Sequence, residues 1–178
     1  MTKKELRAAM KKQNLSLTPE ERAAASRQIF GRVAESGPFA KARCVAFFCA
    51  LPDEPVTGEA LALWGSAKRI VVPRVEGDVM RFFDYIPAEL RAGAFGIAEP
   101  DGTAMPCEPS AIDLIVVPGT VFTPAGARMG RGRGYYDKYL SQPGFRGVKV
   151  GVCYAHQLVG ELPVEPHDVF MDYVITNG

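Results

Sequence analysis

The chain has 178 residues, 47% of them hydrophobic, and a formal net charge of +1. That length suits one domain, which at this size buries about 70% of its unfolded surface. Near-neutral charge leaves no global field for nucleic acid or an anionic membrane, so any binding of anions must come from a local cluster.

The basic amino terminus lacks the apolar core of a signal peptide, and no apolar run approaches the ~20 residues of a membrane span. The expectation is a cytoplasmic monomer acting on small molecules, with no nucleic-acid or membrane partner. Cys44, Cys49, Cys107 and Cys153 show no C-x-x-C or zinc-ribbon spacing, and Cys44 and Cys49 would face opposite sides of one strand, so buried reduced thiols are expected. His156 and His167 form no H-E-x-x-H pair, and there is no G-x-S-x-G elbow for a serine nucleophile.

In chain order, Thr2-Lys3-Lys4-Glu5 fits a capping box that opens a short helix, with Leu6 and Met10 as an apolar pair and Lys4, Arg7 and Lys11 on a basic side. Thr18-Pro19-Glu20-Glu21 opens a second helix whose stripe runs through Ala25, Ile29, Phe30 and Val33, with a stop near Gly37-Pro38. Strands are predicted at about 44 to 50, 69 to 73, 79 to 85, 112 to 118, 148 to 154 and 172 to 176, with a helix at about 57 to 66. Ser110 to Asp113 also has capping-box spacing, but a strand-type run follows it. The Gly- and Pro-rich stretch from about 79 to 109 is expected to hold an antiparallel excursion and long loops. The alternation implies an α/β fold, with a mostly parallel sheet covered by helices through right-handed crossovers. No linker or repeat divides residues 1–178, so a single domain is expected.

The densest chemistry lies between Asp113 and Leu140. The all-apolar run Leu114 to Val117 reads as a strand buried on both faces, and ligands of such sheets bind beyond the strands' carboxyl ends. Gly126, Gly130, Gly132 and Gly134 allow positive φ and close backbone approach, and Arg128, Arg131 and Arg133 interleave with them. Tyr135 and Tyr136 add flat faces and phenols, and Asp137 adds a hard oxygen ligand beside positive charge. This is the chemistry of a nucleotide–magnesium site. A Walker loop would need Gly-Lys before Ser or Thr, and a dinucleotide fingerprint would need Gly at Tyr135, so neither fits. A solvated basic turn and an arginine–aromatic patch for single-stranded nucleic acid remain the alternatives at this point.

These residues resemble the 5-formyltetrahydrofolate cyclo-ligase family, also called 5,10-methenyltetrahydrofolate synthetase. The likeness is carried by Pro118-Gly119, Phe122, Gly126 to Met129 and Gly130 to Asp137, and extends over almost the whole chain. Lys3 to Arg7 resembles the family's ATP-contacting helix, Leu51 to Thr57 its substrate loop, Phe95 to Pro100 its GI-x-EP turn, and Pro163 to Thr176 its closing stretch. Thr120, Thr123 and Arg133 depart from the usual pattern.

The resemblance implies a three-layer α/β/α fold and ATP- and Mg²⁺-dependent closure of 5-formyltetrahydrofolate to 5,10-methenyltetrahydrofolate, with release of ADP and phosphate. It implies roles in chemistry for Arg131, Tyr135 and Asp137. ATP would be held by Lys3, Lys4, Arg7, Arg128, Gly130, Arg131, Gly132, Arg133, Gly134, Tyr135 and Tyr136. The folate would meet Cys49, Glu54, Phe95, Arg131, Gly132, Arg133, Gly134 and Tyr135. Asp137 and Asp168 would hold Mg²⁺, with Asp172 as a fallback for Asp168. A non-catalytic relative or another small-molecule phosphotransferase are the competing readings.

Overall fold

A computed structural model describes residues 1–87, 90–92, 98–100 and 105–178. Three helices come first: α1 (Lys3–Leu15), α2 (Pro19–Ala34) and the short α3 (Gly37–Lys41). Both expected capping boxes form, Thr2 with Glu5 and Thr18 with Glu21, each closing two otherwise unpaired N–H groups. Gly37-Pro38 does more than stop a helix. The Ser36 hydroxyl accepts from Phe39 N–H, and Pro38 sits in the first turn of α3, where no N–H is needed.

Then follow β1 (Cys44–Ala46), α4 (Gly58–Gly65), β2 (Arg69–Glu76), β3 (Val79–Asp84), β4 (Leu90–Ala92) and β5 (Ala98–Pro100). The remainder comprises β6 (Leu114–Val117), β7 (Val121–Phe122), β8 (Arg128–Met129), α5 (Tyr135–Leu140), β9 (Val148–Val152) and β10 (Tyr173–Ile175). The main sheet runs β10-β9-β6-β1-β2-β3; its first five strands are mutually parallel, and β3 returns antiparallel along β2. Two small hairpins, β4–β5 and β7–β8, stand apart from it. β1 is shorter than the expected strand, although Phe47 N–H still bonds the Val71 carbonyl, so the chain stays extended beyond Ala46.

Successive residues of β1 and β6 bury on opposite faces, as the all-apolar runs require. Val45, Leu114 and Val116 pack with Ile29, Phe30, Phe39 and Trp64 under α2, α3 and α4. Ala46, Ile115 and Val117 pack with Phe82, Phe122, Tyr139 and Leu140 under α5 and the loops around it. The result is helix, sheet, helix, in one domain. The Ser110 to Asp113 spacing serves another purpose: the Asp113 carboxylate accepts from Arg43 and Cys44 N–H at 2.9 and 3.0 Å, fastening the start of β6 to β1.

The sheet order fixes where a ligand can enter. From β1 the chain moves to β2 and β3 on one side, and from β6 to β9 and β10 on the other. The switch point therefore lies between β1 and β6, and the crevice beyond their carboxyl ends is where open α/β sheets bind ligands. The segments there are Phe48 to Glu54 and Pro118 to Gly134.

Candidate active site

A cleft of about 780 Å³ opens at that switch point. One wall is α1, which packs Leu6 and Met10 against Val121 and Met129 of the β7–β8 hairpin. Lys3, Arg7, Lys11 and Leu15 line the cleft from this helix. Their spacing of four is one helical stripe. Lys4, assigned to the nucleotide on the sequence, is exposed and stands off that stripe, so the basic side of α1 facing the cleft is Lys3, Arg7 and Lys11.

The glycine loop supplies the floor. Gly132 and Gly134 adopt φ of 98° and 73°, and Gly134 starts α5 in the left-handed region that disfavours a side chain. Gly130 has no positive φ but is needed for space: a Cβ there would lie 2.9 Å from Nη2 of Arg128. The half-buried Arg128 donates from Nε to the Pro118 carbonyl at 2.8 Å, and its guanidinium lies 5.1 Å from the Tyr136 ring centroid. Burial draws its pKa below the ordinary arginine value, against the pull of Asp137. Arg7 donates from Nε to the Gly130 carbonyl at 2.8 Å, so α1 and the loop are joined directly.

Arg131 meets two acids that follow β1. Its Nη2 lies 2.5 Å from Asp53 Oδ1 and 3.4 Å from Glu54 Oε2. Burial alone would lower its pKa, but the bond from Asp53 and the Glu54 charge lift it above the ordinary value. The buried Glu54 is pushed up by desolvation, opposed by Arg131 and by the Leu51 N–H that Oε1 accepts at 2.8 Å. Asn14 donates to the Asp53 carbonyl at 3.0 Å, while Arg22 and the Tyr154 hydroxyl donate to the Glu54 carbonyl at 3.0 and 3.2 Å. His156 Nε2 bonds Asn14 Oδ1; because the Asn14 amide is used on Asp53, the histidine is the donor.

At the far side, Asp137 and Asp168 both line the cleft. Asp137 Oδ1 accepts from Val169 N–H at 3.2 Å, and Asp168 Oδ2 accepts from Glu165 N–H at 2.8 Å while its Oδ1 lies 3.5 Å from Nε2 of His167. Among the described residues no cluster of three or more metal-ligating side chains forms. Asp172, the fallback, is not among the residues that line the cleft; its Oδ2 accepts from Lys149 N–H at 2.8 Å and lies 3.5 Å from Lys149 Nζ, bracing β9 against β10. Lys138 pairs with Asp78 at 3.3 Å in the β2–β3 turn, and Tyr135 donates its hydroxyl to the Gly77 carbonyl at 3.1 Å while also lining the cleft.

Gly130, Gly132, Arg133, Gly134, Tyr136 and Cys49 line the same space. Burial, reinforced by the Glu99 charge, pushes the Cys49 thiol up to about 11, so it packs as a neutral group. Phe95 lies outside the described residues. Sequence reasoning passed over Asp53, although an acidic pair at the end of a buried strand was its visible signal. It also missed Gln157, whose buried amide donates to the Gly119 and Thr120 carbonyls at 3.1 Å each and holds the loop after β6. No local motif marks that contact, which spans β6 and the chain after β9.

A cleft at a sheet switch point with a fixed arginine–glycine floor defines an α/β enzyme that handles anionic substrates. The 5-formyltetrahydrofolate cyclo-ligase family model matches residues 1–177. A 5-formyltetrahydrofolate cyclo-ligase of Mycolicibacterium smegmatis is 30% identical, covering 98% of this chain and 93% of its own. One from Escherichia coli K12 is 31% identical, covering 90% and 92%. The NMR structure of Aquifex aeolicus 5,10-methenyltetrahydrofolate synthetase superposes with a TM-score of 0.88 at 33% identity, covering 99% of this chain and 90% of that one. The chain belongs to the 5-formyltetrahydrofolate cyclo-ligase family and is a ligase.

Proposed function

We propose that this enzyme converts 5-formyltetrahydrofolate to 5,10-methenyltetrahydrofolate with ATP and Mg²⁺, releasing ADP and phosphate. The observation that carries the reading is the two-ended cleft. Phe48, Leu51, Pro73, Val75 and Met80 line an apolar part suited to a flat ring, and Lys3, Arg7, Arg128, Arg131 and the glycine loop line a cationic part suited to phosphates.

A formyl amide is a poor electrophile. Transfer of the terminal phosphoryl group to the formyl oxygen forms the new O–P bond, breaks the bond to ADP, and leaves an iminium phosphate. Attack by the folate N10 on that carbon forms the new C–N bond; phosphate then departs with the C–O bond electrons, and the N10 proton is lost. Such transfer depends on alignment and charge neutralisation more than on a protein nucleophile. Arg128, locked to Pro118 and Tyr136, is a fixed positive charge for the moving phosphoryl oxygens. Arg131, held by Asp53 and Glu54, is a second oriented positive charge lining the cleft. Tyr136, its phenol pushed well above the ordinary range by burial, stays protonated and supplies a flat surface.

The donor set fits a magnesium ion. Asp137 and Asp168 are hard oxygen ligands that both line the cleft, and Mg²⁺ is commonly held by one or two carboxylates with substrate phosphates and water completing the shell. When bound, the ion would neutralise phosphate charge. A cytoplasmic monomer working on small molecules belongs to the same proposal, supported by the net charge of +1 and by four cysteines that are all free and buried. The test is the appearance of the methenyl-folate absorbance band from 5-formyltetrahydrofolate, ATP and Mg²⁺; a folded protein that forms no band would overturn the reading.

A further inference from the structure

Gln157 does not line the cleft, yet both polar atoms of its side chain are spent on the segments beneath it. It is 1% exposed and closes a single 3-10 turn, Ala155–Gln157, that follows β9. Its Oε1 accepts from Tyr154 N–H at 2.8 Å, which fixes the side chain to its own turn. Its two amide protons then go to the Gly119 and Thr120 carbonyls at 3.1 Å each. A buried amide satisfied in this way holds one arrangement, because any other leaves donors and acceptors unpaired out of reach of water.

The two carbonyls belong to the segment on which Arg128 rests. Thr120 N–H donates to the Met129 carbonyl at 2.8 Å, so the Gly119–Thr120 peptide is held at its nitrogen as well as at its oxygen. The peptide before it presents the Pro118 carbonyl to Arg128 Nε at 2.8 Å. Gly119 has no side chain to steady it, and the arginine runs close over it: a Cβ at Gly119 would lie 3.2 Å from Arg128 Nε. A turn of that glycine would therefore be felt at once by the guanidinium. We propose that Gln157 is a positioning residue for Arg128: by holding the Gly119 and Thr120 carbonyls it aims the Pro118 carbonyl, and through it the arginine, at the phosphoryl group in transfer. This rests on the reaction proposed above and extends it to a residue of the chain after β9, outside the cleft.

Gln157→Met keeps the volume and removes both donors. It should lower kcat by roughly 10- to 100-fold, as for a group misplaced by about an ångström, while KM for ATP and for 5-formyltetrahydrofolate changes by less than about threefold, because Arg128 meets charge that moves in the transition state. In an Arg128→Lys background the same substitution should cost little more, since residues that act through one another are not additive. The position of the arginine also has its own signal. The Arg128 Nε–H resonance, assigned by its disappearance in Arg128→Lys, should shift in Gln157→Met and exchange faster with water, a readout that needs no turnover. If Gln157→Met fails to fold, Gln157→Asn takes its place with the same expectations, its amide being one methylene too short to bond both carbonyls and Tyr154 N–H together. Full kcat in a folded variant, a loss that multiplies with that of Arg128→Lys, or an unmoved Arg128 Nε–H resonance would overturn the assignment. An unaltered enzyme that forms no methenyl-folate would count against the folate reading instead, and the resonance would still decide whether Gln157 positions Arg128.

Discussion

Arg131 Nη2 and Asp53 Oδ1 are 2.5 Å apart, although 78 residues separate them in the chain. This pair joins the glycine loop after β8 to the turn after β1, across the switch point of the sheet. It decides where the arginine fork points before any ligand arrives, and preorganised charge costs little reorganisation when a phosphoryl group moves.

Asp53→Asn should therefore lower kcat/KM by about 10- to 100-fold while changing stability by less than about 1 kcal/mol. Arg131 is 39% exposed, so water screens the pair, and Glu54 remains to hold the guanidinium loosely. Steady-state kinetics beside urea unfolding checks this; equal losses in activity and stability would mean that the pair is only a brace.

Gly130→Ala should fold normally and lose activity. The added Cβ would meet the far end of the Arg128 side chain at 2.9 Å, which can shift cheaply for folding but not without moving the guanidinium off Tyr136. A turnover loss on the order of 10²-fold is expected, in line with the cost of misplacing a group by an ångström. Normal turnover in Gly130→Ala would show that the position of Arg128 is immaterial.

Asp137→Asn and Asp168→Asn each keep an oxygen for the backbone N–H they accept, from Val169 and Glu165. Thermal midpoints should change little, and the Mg²⁺ concentration for half-maximal rate should rise at least about 10-fold in either variant, since one carboxylate of a small set is lost. A Mg²⁺ titration of each variant decides it; curves superimposable on the unaltered enzyme would remove these residues from metal binding.

His156 gives a pH dependence of stability. Burial lowers its folded pKa below the ordinary 6.5, so between the two values the unfolded chain binds more protons than the folded one. Stability from this group is present above about 6.5 and is lost as pH falls through the folded value. His156→Gln can still donate to Asn14 but cannot charge, so its urea midpoint should fall less steeply below pH 6.5 than that of the unaltered protein. Parallel curves would show that another group governs this range.

Much of this architecture was legible locally. Leu114 to Val117 could only be a strand covered twice, and Thr2 and Thr18 announced their helices through capping chemistry that needs four residues and no tertiary context. The loop arginines were legible as a class because arginine between glycines has few other uses at a strand's carboxyl end. Their partners were not: Asp53 with Arg131, Asn14 with His156 and Gln157 with Gly119 each join segments that only the crossovers bring together. Which basic residues of α1 share the stripe along the cleft was not legible either, because positions 3, 4, 7 and 11 admit more than one stripe until the packing of Leu6 and Met10 turns the helix.

The most direct test of the central claim follows methenyl-folate absorbance and free phosphate together, with purified protein, 5-formyltetrahydrofolate, Mg²⁺ and ATP. The account predicts a band that grows only with ATP, with equimolar phosphate released. No band from a folded protein that binds both ligands, or phosphate retained on the folate product, would contradict it.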